Sequence, residues 1–215
     1  MAPLISVVGK SKSGKTTLLE RLIPELTRRG YRVATLKHTS HSFDMDREGK
    51  DTHRMSGAGS QTVAIASREQ LAVLYRLSDA LGLDQLSRFI VDSHDILLSE
   101  GFSQQKATKI EVHRPELGDD LICNPAEVWA VVSDAPLKVP VPVFPWGSVP
   151  ALADMIVRTF PLSREETLEL YINGRWVRTN PFVVQVMGRV VAAMAGTLKG
   201  VGDIESIDLR WTRSG

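Results

Sequence analysis

Residues 4–17 read Leu-Ile-Ser-Val-Val-Gly-Lys-Ser-Lys-Ser-Gly-Lys-Thr-Thr. The apolar run at 4–8 is typical of a buried strand in a parallel sheet. Directly after it, residues 9–16 match the phosphate-loop (P-loop) pattern G-x-x-x-x-G-K-[ST]. Leucines at helical spacing from Leu18 to Leu26 then predict an amphipathic helix. A strand, a loop and a helix in this order form the setting in which the pattern binds phosphate, so we predict a nucleotide site here.

The chemistry of phosphate binding accounts for the residues of this loop. A bend between a strand and a helix can wrap its backbone N–H groups around a phosphate, and the helix dipole favours an anion there. We expect Gly14 to allow close approach, Lys15 to reach the β- and γ-phosphates, and Thr16 to ligate Mg²⁺. The predicted nucleotide-binding residues of the loop are Gly9, Lys10, Ser11, Lys12, Ser13, Gly14, Lys15, Thr16 and Thr17.

Two lysines of the loop have alternative interpretations. Lys10 stands five residues before Lys15, where one branch of P-loop proteins keeps a lysine that reaches across a dimer. The simpler interpretation, which we favour, is a solvated lysine. Lys12 departs from the small residue often found at its place.

Alternating strands and helices organise the rest of residues 1–162. The predicted strands are 31–37, 62–66, 70–75, 95–100, 109–113 and 127–132, with a hairpin at the second and third. Helices are predicted near residue 51, over 78–91 with Ser78 as N-cap, and over 148–160. This order predicts an α/β domain of the P-loop NTPase-like class, with a mostly parallel sheet flanked by helices.

The pattern changes after a polar linker at 161–166. Asn173-Gly174 between two apolar runs is a strong hairpin signal, and Asn180-Pro181 predicts the start of a helix. An imperfect alternation at 204–211 predicts a final strand. We therefore predict that residues 163–215 form a small C-terminal ββαβ module of unknown role, which is too small to be robust without a packing partner.

Composition excludes several classes of protein. The 26 Lys and Arg residues against 25 Asp and Glu leave a net charge of +1, which gives no support for nucleic-acid binding through bulk positive charge. No apolar run approaches the roughly 18 residues of a membrane span, and the first residues do not resemble a secretory signal. The single cysteine, Cys123, excludes an internal disulfide and fits a reducing cytoplasm.

A phosphate loop needs a carboxylate at the end of another strand to hold Mg²⁺. The strand at 95–100 offers Asp95 and Glu100, one at each end. We favour Glu100 because ligands of open α/β sheets bind at the carboxyl ends of strands.

A polar stretch follows the second strand and contains Lys37, His38, His41, Asp44 and Asp46. One interpretation is a transition-metal site made by the two histidines and the two aspartates. In the other, which we favour, an aspartate shapes the Mg²⁺ shell while the histidines orient the loop or contact a partner. Lys37, His38 and His41 are accordingly predicted on the nucleotide side.

Three further residues are candidates for ligand contacts. Lys50 and Arg54 flank a helix start with Asp51 as candidate N-cap, and either faces an anionic ligand or is solvated. Asp134 follows the strand at 127–132, near the place where guanine-specific P-loop proteins have an aspartate that binds the base. The usual Asn-Lys-x-Asp string is absent, so a strand-end cap is an equal interpretation.

Taken together, these features resemble the adaptor proteins of molybdopterin-guanine dinucleotide biosynthesis (MobB), over roughly residues 4–160. The His-to-Asp stretch is more discriminating than the phosphate loop. The matching residues are Gly9–Thr17, Leu22-Ile23-Pro24, Lys37-His38, His41, Asp44, Asp46, Gly49-Lys50-Asp51, Arg54, Ala58-Gly59, Leu98, Glu100-Gly101-Phe102, Lys109-Ile110, Arg114 and Val132-Ser133-Asp134. Thr52 replaces a serine common in the family.

The resemblance implies a cytoplasmic, homodimeric protein that binds GTP with Mg²⁺ and is at most a weak GTP hydrolase. The residues predicted to surround the metal are Thr16, Asp44, Asp46 and Glu100. The expected partners are molybdopterin, the guanylyltransferase that joins GMP to it, and molybdenum-insertion proteins. The weak hydrolysis fits the residues, because we identify no water-orienting glutamine and no sure arginine finger.

Two other functions remain open at this stage. Compact P-loop kinases share this length and topology, and Arg47 and Arg54 could supply a lid over the phosphates. A metallochaperone GTPase could use His38 and His41 for a metal.

Overall fold

The computed structural model describes residues 2–39, 43, 46–90, 94–162, 168–204 and 206–212. The chain divides into two compact units, Ala2–Pro161 and Leu162–Gly215. The first has the phosphate-loop pattern, and the second is described separately below.

Strands and helices alternate along the larger unit. Its strands are β1 (Leu4–Val8), β2 (Val33–Lys37), β3 (Thr62–Ala66), β4 (Leu71–Tyr75), β5 (Ile96–Glu100), β6 (Thr108–Val112), β7 (Val128–Val132) and β8 (Val143–Phe144). Its helices are α1 (Lys15–Arg28), α2 (Asp51–Gly57), α3 (Leu83–Leu86) and α4 (Val149–Thr159). Short 3₁₀ turns lie at Ser87–Phe89, Pro115–Leu117 and Pro125–Glu127.

A parallel sheet organises this unit. Within the described residues the sheet has six strands in the order β2-β5-β1-β6-β7-β8, and each neighbouring pair runs parallel. β3 and β4 form a separate antiparallel hairpin. Because the strands are parallel, the loops that follow β1, β2, β5, β6 and β7 all emerge at one edge.

The core explains why these segments form these elements. β1 and β5 are almost fully buried, as expected for continuous apolar runs in the middle of a parallel sheet. The predicted leucine stripe of α1 is buried against the sheet together with Leu152 and Ile156 of α4. Burying such side chains contributes about 1.5–3 kcal/mol each, which fixes α1, and hence the loop before it, on the end of β1.

Two sequence predictions in this unit are corrected. The helix predicted over 78–91 is wrong, because the described residues contain only the single turn α3 and a short 3₁₀ turn. Gly82, in an extended conformation, is the N-cap of α3, so the N-cap predicted at Ser78 is wrong. A glycine in the interior of the predicted helix would also have lowered its stability. The edge strand β8 was not predicted, because two residues are too short to show a pattern.

The smaller unit contains β9 (Leu170–Ile172), β10 (Arg175–Val177) and α5 (Pro181–Gly196). The predicted hairpin turn is confirmed, with φ of 51° at Asn173 and 75° at Gly174. Asn180 is the predicted cap of α5, and its side-chain oxygen accepts a hydrogen bond from the Val183 N–H at 2.9 Å.

The final strand predicted over 204–211 is wrong for the described residues there, which have no regular structure. A strand needs a neighbour that pairs with its backbone, and alternation alone does not supply one. The described part of the smaller unit is therefore ββα rather than ββαβ.

Among the residues that the structure describes, none of the helices has the length and apolar character that a membrane crossing demands.

Candidate functional site

The phosphate-loop residues line a cavity at the carboxyl edge of the sheet. The cavity has a volume of about 280 Å³. Its lining residues are Lys12, Gly14, Lys15, Thr16, Thr17 and Glu100. Five of them belong to the predicted loop, and the sixth is the predicted carboxylate at the end of β5.

The loop itself has the backbone conformation of an anion cradle. Gly9, Lys12 and Gly14 have φ values of 142°, 63° and 97°, and residues of positive φ occur in the backbone nests that bind anions. A Cβ on Gly9 would collide with the Val112 carbonyl oxygen, so glycine is required at the position where β1 passes into the loop.

Lys15 is held over this cradle by the loop's own carbonyl groups. Its ammonium donates to the backbone oxygens of Gly9 at 3.0 Å and Lys10 at 2.8 Å. Burial lowers the pKa of Lys15, while the negative charge of Glu100 opposes this shift. Ser13 Oγ is buried in the same loop and has no hydrogen-bond partner in the described part of the chain. A buried hydroxyl of this kind calls for a partner such as a phosphate oxygen.

We define the β5 flank of the loop as Thr16, Lys37 and Glu100. The Thr16 hydroxyl donates to Glu100 Oε2 at 2.7 Å, and the Lys37 ammonium lies 3.5 Å from Glu100 Oε1. The strand register places Lys37 beside Glu100 at the ends of β2 and β5. The Glu100 side chain is only 14% exposed. Its carboxylate lines the cavity and is contacted there by Thr16 and Lys37.

We define the β6–β8 flank as Arg114, Asp134 and Trp146, which follow β6, β7 and β8. The Arg114 guanidinium lies 4.0 Å from the centre of the Trp146 ring, and its Nε donates to the Ser13 carbonyl at 3.3 Å. Asp134 Oδ1 accepts a hydrogen bond from the Trp146 backbone N–H at 2.9 Å. Asp134 Oδ2 lies 3.8 Å from Arg114 Nη1.

Gly14 joins the loop to the β6–β8 flank. A Cβ at Gly14 would lie 2.7 Å from Trp146 Cη2 and 3.8 Å from Arg114 Nη2. The sequence suggested that this glycine lets the backbone approach a phosphate. The structure gives a further reason, since the absent side chain also makes room for the Trp146 indole.

Comparison with known proteins identifies the family. Residues 4–134 match the family model described as molybdopterin guanine dinucleotide synthesis protein B, MobB. This chain belongs to the MobB family. The resemblance found in the sequence is therefore confirmed.

Two curated relatives show how far the likeness extends. The molybdopterin-guanine dinucleotide biosynthesis adapter protein of Haemophilus influenzae is 40% identical over 155 residues, which cover 72% of this chain and 87% of the relative. The protein of the same description from Escherichia coli K12 is 37% identical over 166 residues, which cover 73% of this chain and 93% of the relative.

A solved structure supports the same fold. The crystal structure of a molybdopterin-guanine biosynthesis protein B matches with a TM-score of 0.57 and 30% identity, covering 73% of this chain and 99% of that one. The P-loop NTPase-like fold predicted for the larger unit is confirmed by this match and by the parallel sheet.

The structure of this MobB-family chain places the remaining predicted residues in different ways. The Lys10 ammonium donates to the Leu117 carbonyl of the same chain at 3.0 Å, so it is anchored rather than simply solvated. The His38 ring packs on Phe102 with 4.6 Å between ring centres, beside the cavity-lining Glu100. Ser11 lies exposed at the tip of the loop.

The His-to-Asp stretch is only partly visible. His41 and Asp44 lie outside the described residues, so the choice between a transition-metal site and a Mg²⁺ shell stays a prediction. Asp46 Oδ1 accepts a hydrogen bond from the Arg47 N–H at 2.8 Å, and its Oδ2 has no partner in the described part. No group of three or more His, Cys, Asp or Glu residues positioned for a metal ion occurs among the described residues.

The predicted residues around α2 are not brought to the cavity. Lys50 is the N-cap of α2, a role the sequence suggested for Asp51, which is instead the first helical residue. Arg54 lies 3.8 Å from Asp51, and both side chains are exposed. Neither Lys50 nor Arg54 lines the cavity.

Asp95, the carboxylate not favoured by the sequence argument, lies at the opposite end of β5. It binds the Arg32 side chain through contacts of 2.8 Å and 3.1 Å and accepts the Arg32 backbone N–H at 2.8 Å. These hydrogen bonds from Arg32 lower the pKa of Asp95. The geometry therefore favours Glu100 as the carboxylate of the site.

Sequence reasoning missed two residues that shape the site. Arg114 was noted only as part of the family resemblance, and Trp146 was not noted. Neither has a local signal, because each meets the loop only when β6 and β8 take their places in the sheet.

Proposed function

We propose that this chain binds GTP with Mg²⁺ at the phosphate loop and acts as an adapter in the biosynthesis of molybdopterin-guanine dinucleotide. The observation that carries the proposal is the joining of a preformed anion cradle to an oxygen-donor pair, the Thr16 hydroxyl and the Glu100 carboxylate at 2.7 Å. Membership of the MobB family supports the pathway, since the relatives are described as adapters of that biosynthesis.

The residues of the cradle fit a nucleoside triphosphate. Lys15 supplies one ammonium beside the loop, and the start of α1 supplies backbone N–H groups and the positive end of a helix dipole. A phosphate in the bend would replace the carbonyl partners of Lys15 and would meet the unpartnered Ser13 hydroxyl. Guanine as the base follows from the pathway of the relatives rather than from a base contact.

The β5 flank fits Mg²⁺. Hydroxyl and carboxylate oxygens are the ligands this ion takes in nucleotide sites, so Thr16 and Glu100 would hold it, directly or through water. Asp46, with one carboxylate oxygen unpartnered in the described part, is a further candidate for the outer shell, as is Asp44. When bound, the ion neutralises charge on the β- and γ-phosphates.

The homodimer expected from the sequence has a candidate surface in the larger unit. The β3–β4 hairpin forms its own two-stranded sheet and exposes apolar side chains. Leu71, Val73 and Tyr75 share one face of the hairpin, and Ile65 lies on the other. Apolar surface of this kind supports an interface with a second copy or with a partner protein.

Molybdopterin, its guanylyltransferase and the molybdenum-insertion proteins remain the proposed partners, in the reducing cytoplasm suggested by the lone cysteine.

The proposal is tested by titrating GTP and ATP onto the pure protein with and without Mg²⁺, by calorimetry. We expect saturable GTP binding that tightens with Mg²⁺. Failure to bind either nucleotide, or tight ATP binding without any preference for GTP, would contradict it. The adapter role is tested by adding the protein to a molybdopterin guanylyltransferase and measuring the rate of GMP attachment, which we expect to rise.

A turnover assay separates the adapter from the enzyme alternatives. We expect at most slow GTP hydrolysis and no transfer of phosphate to a metabolite. Steady transfer at more than about 1 s⁻¹, an ordinary kinase rate, would favour a small-metabolite kinase instead. Stoichiometric zinc or nickel that survives dialysis and is lost in His38→Ala would favour the metallochaperone.

A further inference from the structure

The two flanks of the loop fix the direction in which a bound nucleotide lies. The β5 flank has the oxygen donors for a cation and therefore faces the β- and γ-phosphates. The sheet order puts β5 on one side of β1 and β6, β7 and β8 on the other. A nucleotide whose terminal phosphates lie at the β5 flank must therefore extend its nucleoside over the β6–β8 flank.

Arg114 is the cation of that flank, and its guanidinium is fixed in position. Trp146 covers it at 4.0 Å, the Ser13 carbonyl accepts from its Nε at 3.3 Å, and Asp134 lies 3.8 Å from Nη1. About a third of the Arg114 side chain, 34%, stays exposed. Because the Trp146 ring covers one face of the Arg114 guanidinium, another planar group can stack on the opposite face.

The neighbours of Arg114 are less suited to contact a base directly. Trp146 is only 7% exposed, because it packs under the guanidinium and against Gly14. Asp134 already accepts the Trp146 N–H through one oxygen and faces Arg114 with the other. An aspartate engaged in this way acts as the strand-end cap of β7, and a guanine edge would compete with the Trp146 N–H and with Arg114 for its oxygens.

We propose that Arg114 is the platform on which the base of the bound nucleotide stacks, with Trp146 as its backing and the Ser13 carbonyl as its anchor. The proposal rests on the proposed nucleotide binding. Guanidinium planes stack on bases as aromatic rings do, and arginine combines this with stacking on tryptophan in a way that lysine does not. Because the anchor is a carbonyl of the phosphate loop, the platform lies directly beside the cradle.

The first experiment compares GTP with inorganic tripolyphosphate, both with Mg²⁺, on the wild type and on Arg114→Lys. Lysine keeps the charge but loses the plane. We expect GTP affinity to fall about ten-fold, the size of one stacking contact, while tripolyphosphate affinity changes less than two-fold. The control is Arg21→Lys, an exposed arginine on α1, which should change neither affinity.

The outcomes separate this proposal from the proposed function. Equal losses of GTP and tripolyphosphate affinity in Arg114→Lys would overturn the platform, because Arg114 would then act only on the loop through Ser13. Unchanged GTP affinity would also overturn it. If the wild type binds tripolyphosphate as tightly as GTP, the base adds no affinity. That result would overturn the platform but not phosphate binding by the cradle. If it binds neither ligand, the proposed function fails as well.

A second experiment needs no variant and so does not depend on folding. The base of 7-methyl-GTP carries a positive charge. Stacked on a cationic guanidinium it is repelled, whereas stacked on a tryptophan it is attracted more strongly than guanine. We expect the wild type to bind 7-methyl-GTP several-fold more weakly than GTP. Equal or tighter binding would overturn Arg114 as the platform.

Discussion

The two flanks of the phosphate loop are built in different ways. The β5 flank consists of short polar contacts between Thr16, Lys37 and Glu100, and each of these residues was predicted from its place after a strand or in the loop. The β6–β8 flank is a packed cluster, in which Arg114 and Trp146 contact the loop from distant parts of the chain. One flank therefore consists of polar side chains at the cavity, while the other packs against the loop.

The largest effect is expected for Lys15→Ala, which removes the ammonium held by the carbonyl groups of the phosphate loop. We expect affinity for GTP and for tripolyphosphate to fall about 10- to 100-fold, since a hydrogen bond to a charged group contributes about 1.5–3 kcal/mol. The melting temperature should hardly change, because Lys15 contacts only loop carbonyls. Calorimetry and a thermal melt measure the two effects.

Lys199→Ala is the control for this change, because Lys199 is an exposed lysine of the smaller unit. Its affinities should match those of the wild type. Unchanged nucleotide affinity in Lys15→Ala would mean that the cradle is not the binding site.

Gly14→Ala tests whether the β6–β8 flank sets the shape of the loop. The new Cβ would lie 2.7 Å from Trp146 Cη2, at a φ of 97° that alanine rarely adopts. We expect the free energy of unfolding to fall by about 2 kcal/mol, as measured by urea denaturation, with weaker nucleotide binding.

Gly147→Ala is the matched control beside Trp146. Nothing lies within 4 Å of its Cβ position, and its φ is not in the positive region. Its stability should stay within about 0.5 kcal/mol of the wild type. Equal losses in the two variants would refute a specific contact between Gly14 and Trp146.

Glu100→Gln tests the β5 flank. Glutamine keeps the shape but removes the charge, so we expect the tightening of GTP binding by Mg²⁺ to drop about ten-fold. GTP affinity measured in EDTA should be unchanged or stronger, since a negative charge next to the phosphates is lost. The measurement is a GTP titration at several Mg²⁺ concentrations.

Asp95→Asn applies the same change to the other end of β5. It removes the negative charge that pairs with Arg32 and should lower the free energy of unfolding by about 1 kcal/mol. The Mg²⁺ response should be that of the wild type. If Glu100→Gln instead keeps the wild-type metal response, the metal role passes to Asp44 or Asp46.

A last effect concerns Cys123, which lies in an apolar cluster with Val8, Val128 and Val131. Burial raises the pKa of the Cys123 thiol from 9.0 to about 11. The folded state therefore holds this proton more tightly than the unfolded state does. The resulting stability is present below pH 9 and is lost as the pH rises towards 11.

We therefore expect the wild type to lose about 2 kcal/mol more than Cys123→Ala between pH 9 and pH 11. Urea denaturation across this range, on both proteins, gives the difference. Identical pH profiles would show that the thiol is accessible to water, and that the cluster around Cys123 is looser than described.

Local patterns were sufficient for much of this protein. The strand, loop and helix at the start follow from residues close together in the sequence, as do the hairpin at Asn173-Gly174 and the cap at Asn180. The predictions that failed were those where a pattern needed a partner. In place of the helix expected over 78–91, the described residues have a single helical turn after Gly82. The strand expected over 204–211 is absent from the described residues there.

The sequence by itself predicted the phosphate loop between β1 and α1, because glycine, lysine and threonine act there through their own backbone conformation and charge. It also placed Glu100 at the same edge, because parallel strands end together. Only the tertiary structure decided what stands on the other side of the loop. Ser13, Arg114 and Trp146 share no local pattern, and they meet because the sheet sets β6 beside β1 and carries β8 to the far edge.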